Sequence, residues 1–248
     1  MNLQQFFKQN PRIAVAFSGG VDSSYLLYAA KTAGCDMHAY FIKSEFQPQF
    51  EFEEAKLMAG QLNVPLTVRE FNVLRDPQVA ENSPKRCYYC KKILVENLWE
   101  FVRADGYLIL CDGTNADDNE DDRPGMRALS ELGVISPLRA AGLTKTEIRK
   151  LSKQAGLFTH DKPAYACLAT RIPTGTEIMP KYLEMVESAE TSLFDMGFSD
   201  FRVRLIAPDS AKIQMPHAFW DEAASRRKEI YKALKDIFTE IMLDIKER

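Results

Sequence analysis

AFSGGVDSS, residues 16–24, joins an apolar run to the start of an amphipathic one, and its reading decides the fold. RIAVAF (12–17) reads as a buried strand and VDSSYLLYAAKTA (21–33) as the helix that follows it. Between them, Gly19 and Gly20 let a backbone approach an anion closely and leave its N–H groups unobstructed. Ser18 and Ser23 add hydroxyls, and the positive end of the helix favours phosphate. Asp22, in the first helical turn, can hold Mg²⁺ or cap the helix. A plain strand–turn–helix connection is the alternative, but it needs no pair of glycines flanked by serines. The spacing matches neither GxxxxGK[ST] nor GxGxxG.

Outward from this loop, short apolar runs alternate with amphipathic stretches, as in a parallel sheet with crossover helices. MHAYFIK (37–43), PLTVREF (65–71) and YLILCDGTN (107–115) read as further strands, with VISPL (134–138) as the fifth. Helices are expected over 52–63, 91–106 and 144–157, the last with Thr144 and Glu147 at capping-box spacing. After residue 173 the pattern changes. A helix near 178–196 leads to the strands FRVRLI (201–206) and AKIQM (211–215), and one long helix is expected over 217–246. The expected organisation is α/β: a five-stranded parallel domain over 1–173 and a small α+β domain over 174–248. In FRVRLI, Arg202 and Arg204 share a strand face, as a solvated edge or as an anion clamp.

The 248 residues are 46% hydrophobic and 27% charged, an ordinary globular mixture. A net charge of −3 gives no footprint for duplex nucleic acid, so nucleic acid is not the expected partner. No apolar run approaches a membrane span and the start lacks a signal-peptide core, so the expected location is cytoplasmic. Five cysteines in such a chain are thiols rather than a disulfide framework. Cys35 and Cys111 read as buried small hydrophobes. Cys87-x-x-Cys90 opens a helix, where a thiolate is stabilised, but is only half of a zinc site. With Cys167 it makes three thiolates, enough for an iron–sulfur cluster with one open iron, although a structural or incidental pair is favoured.

DGTNADDNEDDRPGMRA (112–128) follows the fourth strand and packs Asp117, Asp118, Glu120, Asp121 and Asp122 beside Arg123 and Arg127. It is a solvated turn, or it supplies Mg²⁺ ligands and a general base at the carboxyl edge of the sheet.

SGGVDSS resembles the signature of the PP-loop ATP pyrophosphatases, HUP-like adenine nucleotide α hydrolases that cleave ATP between the α and β phosphates. Together with RCYYCKK, DGTNADD, RPGMRA, SPLRAAGLTKTEIRKLSKQAGL, DKPAYACLATRIP and FRVRL, it resembles the LarE family along most of the chain. That resemblance implies ATP-dependent sulfur transfer to an adenylylated carboxylate of pyridinium-3,5-biscarboxylic acid mononucleotide, in nickel-pincer nucleotide synthesis. It implies Cys167 as a sacrificial sulfur donor that becomes dehydroalanine, with Glu120 first among candidate bases. ATP would be held by Ser18, Gly19, Gly20, Asp22, Ser23 and Lys43, and Mg²⁺ by Asp22 and Asp118. The substrate phosphate would be held by Arg202, Arg204 and Arg171, with Lys162 and Arg171 favouring the Cys167 thiolate. The family also implies ring-shaped homo-oligomers, typically hexamers.

The sequence departs from the family pattern in places. Thr170 and Thr174 stand where serine and an aromatic are usual, Asp122 where tyrosine is expected, and AKIQ where ARIE is commoner. The alternative is a PP-loop thiolase for tRNA or another acceptor, using Cys87, Cys90 and Cys167 with an iron–sulfur cluster. An ammonia-dependent ligase would need no cysteine at all, and a non-enzymatic nucleotide-binding regulator would bind ATP without releasing pyrophosphate.

Overall fold

The computed structural model describes residues 2–118 and 124–246. Close packing divides the chain into two compact units, Met1–Val73 with Lys85–Lys162, and Leu74–Pro84 with Pro163–Arg248.

The first unit opens with α1 (Leu3–Gln9), started by an Asn2/Gln5 capping box, and continues through β1 (Arg12–Ala16) and α2 (Val21–Thr32). It goes on through β2 (Asp36–Lys43), α3 (Gln49–Gln61) and β3 (Leu66–Glu70). Next in chain order comes α4 (Pro77–Ala80), which belongs to the second unit. The first unit resumes with α5 (Arg86–Ala104), β4 (Leu110–Cys111), α6 (Pro124–Glu131), α7 (Pro137–Ala140) and α8 (Lys145–Gln154). Its sheet has the order β3-β2-β1-β4, and all three pairings are parallel. Successive side chains of β1 feed different cores, as strand geometry requires. Ile13 and Val15 join Leu26, Leu27, Met58 and Ile148 in one, while Ala14 joins Val95, Leu98, Trp99 and Leu129 in the other.

The expected fifth strand is reduced to one bridge, Cys111 with Ile135. Pro137 follows at once, has no N–H for a ladder, and starts α7 instead. The fourth strand is also shorter than expected. After Cys111 the chain turns, with the Asp112 carboxylate accepting from the Thr114 N–H and the Ser136 hydroxyl.

In the second unit, α9 (Pro180–Asp195) presents Leu183, Val186, Ala189 and Leu193 as buried residues, at the spacing of one helical face. The hairpin β5 (Arg202–Ala207) and β6 (Ser210–Gln214) forms as expected, with Val203 and Leu205 buried and Arg202 and Arg204 on the opposite face. The long final helix does not. The chain makes α10 (Trp220–Ser225) and α11 (Arg227–Leu234), then β7 (Glu240–Leu243). Arg226 leaves helical geometry at φ −94°, ψ 14°, and donates to the Met196 carbonyl at 2.8 Å. Beyond Leu234, Phe238 is buried and β7 pairs parallel with β6, so sheet formation overrides helical charge patterning. The sheet order is β5-β6-β7.

Residues 74–84 are tied into this unit by backbone bonding. Asn82 Nδ2 donates to the carbonyls of Pro173 (2.8 Å) and Thr176 (3.1 Å), and its own carbonyl accepts from Gly175 N. The Ile178 N–H donates to the Ala80 carbonyl. The compact units therefore part at Lys162/Pro163 rather than after residue 173. No helix among the described residues is long and apolar enough to cross a membrane.

Candidate functional site

The phosphate loop is built by backbone geometry. Gly19 sits at φ +72°, and a Cβ there would lie 3.0 Å from the Ala55 Cβ and 3.2 Å from the Glu51 carbonyl oxygen. Only glycine meets both demands. Gly20 is the N-cap of α2 and supplies no capping side chain, so the first-turn N–H groups are left to an anion. Ser18 and Ser23 hold the loop: their Oγ atoms are 3.1 Å apart, and the Ser23 hydroxyl donates to the Gly20 carbonyl at 3.2 Å. Gly113 is a residue that the sequence reading missed. A Cβ there would come within 2.7 Å of Ser23 N, so the turn after β4 closes directly onto the start of α2. The DGTN tetrapeptide was the available signal.

Asp22 does not cap the helix. Its Oδ2 accepts from Lys145 Nζ at 2.6 Å, while Oδ1 is buried and has no hydrogen-bond partner among the described residues. Lys145 also escaped the sequence reading. It is the first residue of α8, where a cation is disfavoured by the helix dipole, and that unfavourable placement was the signal that it has a partner. Its backbone N–H donates to Asp117 Oδ2 at 2.7 Å, and the Thr144/Glu147 capping box fixes the start of the helix as expected. Lys43, at the end of β2, donates to the Gln47 carbonyl at 2.5 Å. Asp118 accepts from Asn115 N at 3.0 Å, which commits one of its oxygens to the local turn. Glu120, with Asp121, Asp122 and Arg123, lies outside the described residues.

Among the described residues, no group of three or more His, Cys, Asp or Glu side chains is arranged to hold a metal ion. The orphaned Asp22 Oδ1 nevertheless fits Mg²⁺, which commonly takes one or two carboxylates and completes its shell with nucleotide phosphates and water. Cys87 lies in the first turn of α5 and Cys90 at the start of the second, with Arg86 Nη2 3.3 Å from Cys87 Sγ. Lys162, expected to favour the Cys167 thiolate, is paired in the first unit with Glu54 and with Glu51 at 3.6 Å, so its charge is neutralised there.

The second unit holds a cluster built from side chains. Cys167 is partly exposed and begins a 3-10 turn, Leu168–Arg171. Its carbonyl accepts from the Thr170 N–H (3.0 Å) and hydroxyl (2.9 Å), so Thr170 uses its hydroxyl to hold the cysteine backbone. Arg171 is only 1% exposed. Its Nε and Nη2 form a fork to Glu190 at 2.8 and 3.0 Å, and its Nη1 donates to the Ala166 carbonyl and the Thr170 hydroxyl. The guanidinium, expected among the phosphate ligands, is thus committed to Glu190 and to the backbone and hydroxyl of the cysteine segment. Burial works against the Arg171 charge, but the Glu190 hydrogen bonds and charge, with Tyr165 and Cys167 behind them, raise its pKa.

Arg202 and Arg204 are both half-buried with lowered pKa values, first from burial and then from repulsion by Arg171. Arg202 donates to the Ala164 carbonyl at 3.3 Å and Arg204 to the Thr170 carbonyl at 2.6 Å. Arg204 also bonds Gln214, which donates to Asp244 at 2.8 Å. Glu190 is a fully buried carboxylate among these guanidinium groups, and it also accepts from the Tyr165 hydroxyl and from Val203 N. The two half-buried arginines thus bring surplus positive charge to this part of the unit. Glu190 was missed, yet it stands on the apolar stripe of α9 with Val186, Ala189 and Leu193, where an unpartnered carboxylate does not survive.

The chain is similar to several known proteins. A family model described as the tRNA methyl transferase HUP domain matches residues 11–84. An uncharacterized protein of Synechocystis sp. is 36% identical over 87% of this chain and 80% of its own length. An uncharacterized protein of Methanocaldococcus jannaschii is 32% identical over 82% of this chain and 77% of its own. The pyridinium-3,5-bisthiocarboxylic acid mononucleotide synthase of Lactiplantibacillus plantarum is 34% identical over 85% of this chain and 77% of its own. That extent of similarity, on a phosphate loop of this geometry, shows that the chain belongs to the LarE family of PP-loop proteins.

Proposed function

We propose that this protein is an ATP-dependent sulfur transferase acting on pyridinium-3,5-biscarboxylic acid mononucleotide, with Cys167 as the sulfur donor. The 34% identity to the named synthase across most of both chains carries this reading. The geometry supports a division of labour. The Gly19–Gly20 turn and the open first turn of α2 suit the β and γ phosphates of ATP. Magnesium bound at Asp22 would screen the phosphate charge. A substrate carboxylate oxygen attacks the α phosphorus, pyrophosphate leaves, and the acyl carbon becomes electrophilic.

Cys167 then serves as nucleophile. Its thiolate adds to the acyl carbon, AMP departs, and a thioester forms. A base removes the Cα proton of Cys167, the Cβ–Sγ bond breaks, and the electrons of the C–H bond become the new Cα–Cβ double bond. The thiocarboxylate leaves, and dehydroalanine remains in the chain. Arg202 and Arg204 suit the mononucleotide phosphate, and Arg171 holds the cysteine segment on Glu190. Glu120 stays the proposed base.

Incubation with ATP, Mg²⁺ and the biscarboxylic acid mononucleotide tests both halves. Wild type should release pyrophosphate and yield a thiocarboxylate. Cys167→Ala should still release pyrophosphate but yield no sulfur-containing product. A Cys167→Ala protein that makes the thiocarboxylate would overturn the donor assignment, and an absence of wild-type pyrophosphate release would overturn the activation step.

A further inference from the structure

Asp22 poses an electrostatic problem for the loop that carries it. A triphosphate entering beside α2 meets a carboxylate in the first helical turn, 20% exposed and of the same sign. Two groups can neutralise that carboxylate. One is Lys145, whose Nζ lies 2.6 Å from Oδ2, and the other is a divalent cation at the buried, unpartnered Oδ1. Lys145 is a third exposed on a flexible stem, and its backbone is fixed independently of its side chain by Asp117 and the Thr144/Glu147 capping box. The ammonium can therefore leave Asp22 without disturbing α8.

We propose that Lys145 is an exchangeable counter-ion that makes nucleotide binding metal-gated. In the empty loop Lys145 holds Asp22. When metal and nucleotide enter, the cation takes over the carboxylate and Lys145 moves to the phosphates. This inference rests on the ATP-binding reading of the loop. Metal and nucleotide then raise each other's affinity by the same factor, about 5- to 150-fold for a coupling of ordinary size.

Calorimetric titration of the full chain with ATP and with inorganic pyrophosphate, in EDTA and in Mg²⁺, tests the exchange. Asp22→Asn removes the repelling charge and releases Lys145, so metal-free affinity should rise about 5-fold or more while the Mg²⁺ dependence disappears. Lys145→Met should weaken binding in both conditions. Thermal melting checks that the variants fold. In wild type, where no variant is needed, Mg²⁺ alone should increase labelling of Lys145 by an amine-reactive acetylating reagent, and Mg²⁺ with ATP should decrease it. Weaker metal-free binding by Asp22→Asn, or Lys145 labelling indifferent to Mg²⁺, would overturn the exchange while leaving ATP binding intact. Wild type that binds neither ligand with Mg²⁺ would overturn both.

Discussion

The two units assemble their polar groups from different materials. In the first, the donors are backbone N–H groups at an uncapped helix start, shaped by Gly19 and closed by Gly113. The ion pair at its edge, Asp22–Lys145, is partly exposed. In the second, a buried carboxylate, Glu190, binds Arg171, Tyr165 and Val203 together, while Arg202 and Arg204 rest on the carbonyls of Ala164 and Thr170. The turn of the first is built by adjacent residues, although its counter-ion pair joins residues 123 positions apart and is partly exposed. The second joins residues 13 to 34 positions apart around a buried carboxylate, and it is locked.

That contrast predicts unequal responses to mutation. The largest belongs to the locked pair: Arg171→Met strands Glu190 in the interior and should cost about 3–5 kcal/mol in urea denaturation. Adding Glu190→Gln should recover part of that loss, because an acceptor for Val203 remains while the stranded charge is gone. Strictly additive losses would contradict the locked pair. Next comes Gly19→Ala, where the left-handed backbone alone costs about 1–2 kcal/mol before the Ala55 contact is counted. Its effect should fall on ATP affinity, a loss of about tenfold or more by calorimetry, with the second unit's denaturation unchanged.

Smaller effects sharpen the picture. Thr144→Ala removes the α8 cap and should lower stability by about 1 kcal/mol, with a lesser effect on ATP because Lys145 keeps its side chain. The smallest is at Asp244, whose carboxyl is pulled down to about 2 by Lys212 first and then by Lys246 N, with Gln214 adding to the pull. A depressed folded pKa means this stabilisation is complete above the ordinary carboxyl value and fades as pH falls toward 2. Lys212→Met should therefore flatten the acid limb of the thermal-melting curve between about pH 4 and pH 2. An unchanged limb would remove the Lys212–Asp244 contact from the account.

The same contrast explains what the sequence made legible. The SGGVDSS loop, the first three parallel strands and the FRVRLI hairpin are local patterns, and each forms where its residues predict. The fifth strand failed because one proline, Pro137, outweighed an apolar run. The final helix failed because β6 offered a partner to residues 240–243. The membership of residues 74–84 in the second unit rests on Asn82 bonding residues about 90 positions away, which no local pattern announces. Cys167 stood out in sequence through its resemblance to a family block, whereas Glu190, which orders its surroundings, showed only as a carboxylate on an apolar stripe.

The proposed role of Cys167 as sulfur donor is open to peptide mass spectrometry of the protein after reaction with ATP, Mg²⁺ and the biscarboxylic acid mononucleotide. If Cys167 is the donor, the peptide spanning it loses the elements of H₂S, in proportion to the thiocarboxylate formed. Thiocarboxylate product accompanied by an intact Cys167 peptide would contradict it.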